Sequence, residues 1–210
     1  MRCPSPPTAP LAIAAALLCL LAAVPAAADD GEGILRDEPD YTHAVAPRFR
    51  FRRPDDEWRF VDIERQRAAL AGQWSAERIE NSFRGLVARL YHQGLEITIS
   101  FHLLPEPTPA GGEPPSPAAL VREVRDRVAA RPGVRLREAA PIALHGRPAA
   151  WVRYEVAGVD DPERRWVSVQ IECPVPETRE RLVIFVESPK RHWKAARADL
   201  RKVLRSFRWR

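Results

Sequence analysis

The chain has 210 residues, with 33 Lys or Arg against 28 Asp or Glu and a net charge of +5. That modest excess suits contact with anionic surfaces without demanding it, and the length suits one domain with a real core. Of the three cysteines, Cys3 and Cys19 lie in an apolar N-terminal segment, so a chain freed of that segment keeps only Cys173 and excludes an internal disulfide.

Residues 1–28 read as a cleaved export signal. Arg2 gives the positive start, Leu11 to Val24 the apolar run and Pro25 the helix break, and Ala26-Ala27-Ala28 forms a small-residue cleavage site before Asp29. The run is shorter than the roughly 20 residues that span a bilayer. Cys19 follows Leu18 rather than a small residue, which argues against a lipid anchor. The expected location is therefore periplasmic or extracellular. Residues 29–44, "DDGEGILRDEPDYTHA", are acidic and weakly patterned and read as a flexible leader. A single folded domain is placed at 45–210.

"PRFRFRRP" alternates Phe49 and Phe51 with Arg48, Arg50 and Arg52, the period-2 pattern of a half-buried strand that Pro54 stops. Trp58 and Phe60 open a second apolar pattern. Residues 63 to 80 are ambiguous, and "ERQRAALAG" favours one short helix ending at Gly72. "RGLVARLY" and "LEITISFHL" read as a hairpin turning at His92-Gln93-Gly94, with Leu95, Ile97, Ile99, Phe101 and Leu103 on one face. Residues 105–117, "PEPTPAGGEPPSP", form a Pro-rich loop without regular structure. A helix then starts with Ser116 as N-cap and Pro117 at its first position, burying Leu120, Val124 and Val128.

Three strands are predicted near 134–144, 149–157 and 164–173. In "IALHGRPAAWVRYEV", His145-Gly146 is a tight turn in which Gly146 supplies positive φ. Matching apolar faces predicts that Tyr154 lies opposite Val167 and Val152 opposite Val169, leaving a four-residue loop from Val159 to Pro162. Cys173 then shares a strand face with Val167, Val169 and Ile171 and reads as a buried, inert thiol. A last strand, "ERLVIFVE", leads to Ser188-Pro189 as the start of a final helix burying Trp193, Ala196, Leu200, Val203, Leu204 and Phe207. Helices separated by runs of strands indicate an α+β domain with a mainly antiparallel sheet of about six to seven strands. All-apolar strands such as "LVIFV" indicate helices on both sheet faces.

Three pieces in order resemble the PsbP-like and DcrB-like α/β/α domains: "FRFRRPDDEW", "IALHGRPAAWVRYEV" and "RLVIFVESPKRHWKAARADLRKVLRSFRW". The resemblance spans about 46 to 210. It implies an antiparallel sheet between helices. The family includes exported envelope proteins, a photosystem II accessory protein and a Ran-binding protein, a mostly non-catalytic range. It carries over no site residue, and fold does not fix function.

Catalytic signatures are missing. G-x-S-x-G, H-E-x-x-H, C-x-x-C and the Walker and Rossmann glycine loops do not occur. His43, His92, His102, His145 and His192 stand at no metal-ligand spacing, so no cofactor or metal is expected. Export and core-like aromatics argue against nucleic acid. The one patterned constellation is basic. Lys190, Lys194, Arg197, Arg201, Arg205 and Arg208 recur every three or four residues and, at 100° per residue, stay within a stripe about 80° wide. A solvated outer face explains such a stripe, and so does contact with lipid headgroups, envelope polysaccharide or an acidic partner. The expected function is an exported, non-catalytic accessory module. Peripheral binding to anionic membranes and a hydrolase without a sequence signature are the alternatives.

Overall fold

The computed structural model describes residues 33–106, 115–158 and 164–210. The predicted export signal, the first part of the leader, most of the Pro-rich loop and the predicted loop from Val159 to Pro162 lie outside the described residues. The elements, in order, are β1 (Leu35–Arg36), β2 (Asp40–His43), β3 (Phe49–Arg52), β4 (Trp58–Val61), α1 (Ile63–Leu70), α2 (Ala76–Phe83), β5 (Leu86–His92) and β6 (Ile97–Pro105). They continue with α3 (Pro117–Ala129), β7 (Arg135–Leu144), β8 (Arg147–Ala157), β9 (Arg165–Val175), β10 (Glu180–Pro189), a 3-10 turn (Lys190–His192), α4 (Trp193–Ser206) and β11 (Arg208–Trp209).

An eight-stranded antiparallel sheet runs β1-β4-β5-β6-β10-β9-β8-β7, and a three-stranded sheet runs β11-β3-β2. The expected α+β, mainly antiparallel architecture is present, with more strands than the six to seven expected. The additional ones are too short for a periodic signal. β1 and β2 fall in the stretch read as leader, where Tyr41 packs its ring 5.3 Å from Phe51 and 6.0 Å from Phe60. One face of the large sheet carries the main core, closed by α4 and the small sheet. There Phe49, Phe101, Ile171, Ile184, Leu200 and Phe207 are buried. The other face carries two smaller cores. One lies where Leu120, Val124 and Val128 of α3 meet Val152, Tyr154 and Val156, and the other around Leu70, Ile79 and Phe83 of α1 and α2.

Local signals hold where they are strong. Ser116 Oγ accepts from the Ala119 amide at 3.3 Å and Pro117 stands at the first turn of α3. The β5–β6 hairpin pairs His92 with Ile97. The short helix favoured by "ERQRAALAG" is present as α1, and a second helix, α2, follows it in the stretch that read as ambiguous. Asp62 caps the first through the Arg65 amide and Ser75 the second through the Arg78 amide. Ser188-Pro189 does not start the last helix. Both residues are still in β10, opposite Val167 and Trp166, and α4 begins at Trp193 with no side-chain cap.

The β8–β9 register also differs from expectation. Tyr154 faces Ser168 and Val152 faces Gln170, one residue along. The two strands do not bury their apolar residues on the same side. Val169, Ile171 and Cys173 of β9 enter the main core, whereas Ala150, Val152 and Tyr154 of β8 meet α3. Because β9 is buried on both faces, its polar residues Ser168, Gln170 and Glu172 lie beside the apolar stripe of β8 and find partners there.

Candidate anionic-contact face

α4 is amphipathic, and its buried side sets the direction of everything else. Ala196, Leu200 and Val203 are sealed against the core. Asp199, the helix's acidic residue, is buried as well. It accepts from Trp58 Nε1 at 3.2 Å and pairs with Lys202 at 2.8 Å, and Lys202 reaches on to Asp55 at 3.1 Å. The acid is therefore used internally and does not neutralise the outer face.

Four of the six predicted cations lie on that face. Lys194, Arg197, Arg201 and Arg205 are exposed and form no ion pair among the described residues. The other two are placed differently. Lys190 belongs to the 3-10 turn and pairs with Glu155 at 3.2 Å, so it ties the turn to β8. Arg208 has left the helix for β11. Its Nη1 donates at 2.6 Å to the carbonyls of Arg205 and Phe207, satisfying acceptors that the helix end leaves open.

β11 extends the face onto the small sheet. Arg208 is the register partner of Arg50, and the Arg210 amide donates to the Arg48 carbonyl at 2.9 Å. β3 buries Phe49 and Phe51 and turns Arg50 and Arg52 outward, with Arg48 exposed just ahead of it. Arg52 pairs with Asp40 at 3.0 Å, while Arg48 and Arg50 have no acidic partner among the described residues. β11 thus carries the basic surface of α4 on to the small sheet, where Arg48 and Arg50 add to it and Asp40 offsets Arg52. Such a surface attracts anions over a Debye length of about 8 Å at physiological salt.

Sequence pattern did not reveal a second, buried charge cluster under α3. Glu172 of β9 accepts from Arg127 at 2.5 and 2.6 Å and from Arg181 at 2.8 Å, and it also takes a bond from Gln170. Arg181 bonds Glu123 at 2.8 Å and Glu106 at 3.1 Å. Arg131 donates to Tyr154 at 3.2 Å and Gln170 at 3.1 Å. Burial pushes the Glu172 carboxyl up, but Arg127 and Arg181 outweigh it and hold it below the usual carboxylate range. Further along the same face Arg89 bonds Gln66 at 2.6 Å, and its burial lowers it to about 10 against the pull of Glu187. Burial raises Glu187 to about 7 despite Arg89 and Arg131.

The histidines are placed separately. His102 is buried; its Nδ1–H donates to the Arg84 carbonyl at 3.0 Å, leaving Nε2 to accept from Ser100 Oγ at 3.3 Å. His92 lies 3.2 Å from Glu57, His43 stacks on Phe49, and His192 precedes α4. His145 sits in the turn at φ 47° with Gly146 at φ 85°, so both turn residues and not Gly146 alone are left-handed. Cys173 is buried, and burial raises its thiol to about 12. Among the described residues no three His, Cys, Asp or Glu side chains converge as metal ligands, and no helix is long and apolar enough to cross a membrane.

No protein-family model and no curated protein sequence matches the chain. Solved structures do. LpqN of Mycobacterium tuberculosis, described as involved in cell envelope biogenesis, aligns at TM-score 0.52 and 10% identity over 84% of this chain and 92% of its own. Cyanobacterial PsbP from Synechocystis sp. PCC 6803 aligns at TM-score 0.48 and 13% identity, with the same coverage of 84% and 92%. The Ran-binding protein Mog1p of Saccharomyces cerevisiae aligns at TM-score 0.39 and 13% identity over 83% of this chain and 96% of its own. The chain thus shares its fold with LpqN.

Proposed function

We propose that this protein is an exported, non-catalytic accessory module of the cell envelope that docks on an anionic component through the basic face of α4 and the small sheet. One observation carries the reading: Lys194, Arg197, Arg201 and Arg205 are exposed and unpaired among the described residues, Arg208 beyond them pairs in register with Arg50, and the one acid of the helix is turned inward. The sequence signal for export supports the location, and the shared fold with an envelope-biogenesis protein is consistent with it. The His, Cys and carboxylate side chains are spread over the fold or locked in ion pairs, which supports a binding role rather than catalysis.

Retention on immobilised dextran sulfate tests the reading. Wild-type protein is expected to elute at high salt, and the K194E/R197E/R201E/R205E variant at much lower salt, as screening of exposed charge requires. Equal elution of the two proteins overturns the role of this face.

A further inference from the structure

The cations of α4 border an apolar strip. At 100° per residue Leu204 stands about 20° from Trp193 around the helix, and Arg197 about 40°. Trp193 and Leu204 are only half-buried against the main core, so the charged stripe rises directly beside them. The strip continues on the sheet. Trp151 of β8 and Ile142 of β7 are half-buried too, and the ladder pairs Ala140 with Trp151 and Ile142 with Ala149, which sets them on one face. Each end holds an Arg–Trp stack. The Arg153 guanidinium lies 5.9 Å from the Trp193 ring centroid, and that of Arg147 lies 4.4 Å from Trp209. Trp209 is fixed by its Nε1, which donates to the Leu144 carbonyl at 3.1 Å, and Trp151 Nε1 is buried without a partner among the described residues.

We infer that this strip, between α4 and the β7–β8 edge, seats on an anionic lipid bilayer, with the Trp193 indole at the headgroup boundary and Arg197 and Arg201 on the phosphates. The inference rests on the basic face being a contact surface, as proposed above. A soluble polyanion engages only the cations. The apolar strip alongside them matches the boundary between headgroups and acyl chains, where Trp side chains concentrate and cations gain from anionic lipid.

The test uses the full folded protein with three probes: phosphatidylglycerol–phosphatidylcholine vesicles, phosphatidylcholine vesicles and dextran sulfate. Wild-type protein is expected to sediment with the anionic vesicles only, with indole emission shifted to the blue and quenched by brominated acyl chains. The R197E/R201E variant loses at least about tenfold of vesicle partition and also loses dextran sulfate retention. Trp193→Ser loses about tenfold of vesicle partition and keeps dextran sulfate retention. Trp193→Phe keeps the packing and the partition and loses part of the quenching, which serves if the serine variant does not fold. Absence of acyl-chain quenching, or undiminished vesicle binding by Trp193→Ser, overturns the inference and leaves the basic-face reading standing. Unchanged binding of R197E/R201E to vesicles and dextran sulfate overturns both.

Discussion

Arg181 and Glu172 meet at 2.8 Å across the β9–β10 ladder, with 6% and 3% of their side chains accessible to water. A buried ion pair is no guarantee of stability, since desolvation offsets most of the attraction, but removing one partner strands the other. Glu172 is shared by Arg127 and Arg181, so its loss takes a buried acceptor from both and leaves Arg181 to Glu123 and Glu106 and Arg127 to Glu123. Glu172→Ala is expected to lower the unfolding free energy by about 2 kcal/mol, less than for a charge left with no partner because Glu123 and Glu106 remain, measured by urea denaturation at neutral pH. The paired carboxyl titrates low in the folded state. Its stabilisation is therefore present above the ordinary Glu value of about 4.3 and is lost as pH falls through the depressed folded value. Glu172→Ala should remove that acid-limb contribution from the profile.

A buried histidine and a half-buried carboxyl on the same sheet face oppose each other in pH. Burial lowers His102 to about 4, with Arg89 also lowering it and the Arg84 carbonyl working the other way. The unfolded histidine binds a proton below about 6.5 and the folded one does not, so this group favours the folded state less as pH falls through that window. Glu187, raised to about 7, stays protonated when folded after the unfolded residue has ionised, so it favours the folded state less as pH rises. Between roughly pH 4.5 and 6.5 the two slopes offset. Glu187→Gln is expected to unmask the histidine. The variant's urea midpoint should fall with acidification in this window more steeply than that of wild type. Parallel profiles for the two proteins would rule out Glu187 as the opposing group.

Two glycines at positive φ are expected to respond very differently. At Gly85, φ 64°, an added Cβ meets the Leu103 carbonyl oxygen at 2.1 Å, whereas at Gly146, φ 85°, nothing lies within 4 Å. Gly146→Ala costs about 1 kcal/mol, the left-handed penalty alone, and Gly85→Ala at least about twice that. In the same turn His145 holds φ 47° as a non-glycine residue. Asn tolerates that conformation better, so His145→Asn should raise the thermal midpoint slightly. Differential scanning calorimetry of the three variants decides the order.

Cys173 is expected to be silent to thiol reagents until the protein unfolds. Its sulfur lies in the main core beside the Pro174 carbonyl at 3.7 Å, and burial keeps the thiolate unavailable at neutral pH. Labelling with iodoacetamide in buffer and in urea checks this. Rapid labelling of the folded protein would contradict the placement.

The sequence was most legible where one period sets one environment. Ser116-Pro117, the β5–β6 alternation and the buried stripe of α3 each needed only local chemistry. The β8–β9 register failed because face matching assumes one core, and here neighbouring strands bury their apolar residues on opposite sides of the sheet. Ser188-Pro189 resembled a helix start, yet ladder pairing to Trp166 and Val167 held both residues in β10. The basic stripe was legible as spacing. That Lys190 is occupied by Glu155, and that Arg208 leaves the helix to lie across from Arg50, follows from tertiary contacts that helical periodicity does not encode. The Glu172 cluster draws on three strands and a helix, so no linear motif announces it.

The small sheet gives the fold a temporal property. β3 completes its pairing only with β11, and the Arg52 amide bonds Ser206 Oγ across a separation of 154 residues. Phe49, stacked 5.3 Å from Phe207, has no finished environment until that distant stretch has been made. Loop closure over such a span is slow compared with forming a hairpin. The small sheet therefore closes only once both stretches, 154 residues apart at Arg52 and Ser206, are present together, and until then Phe49 stays without its stack on Phe207.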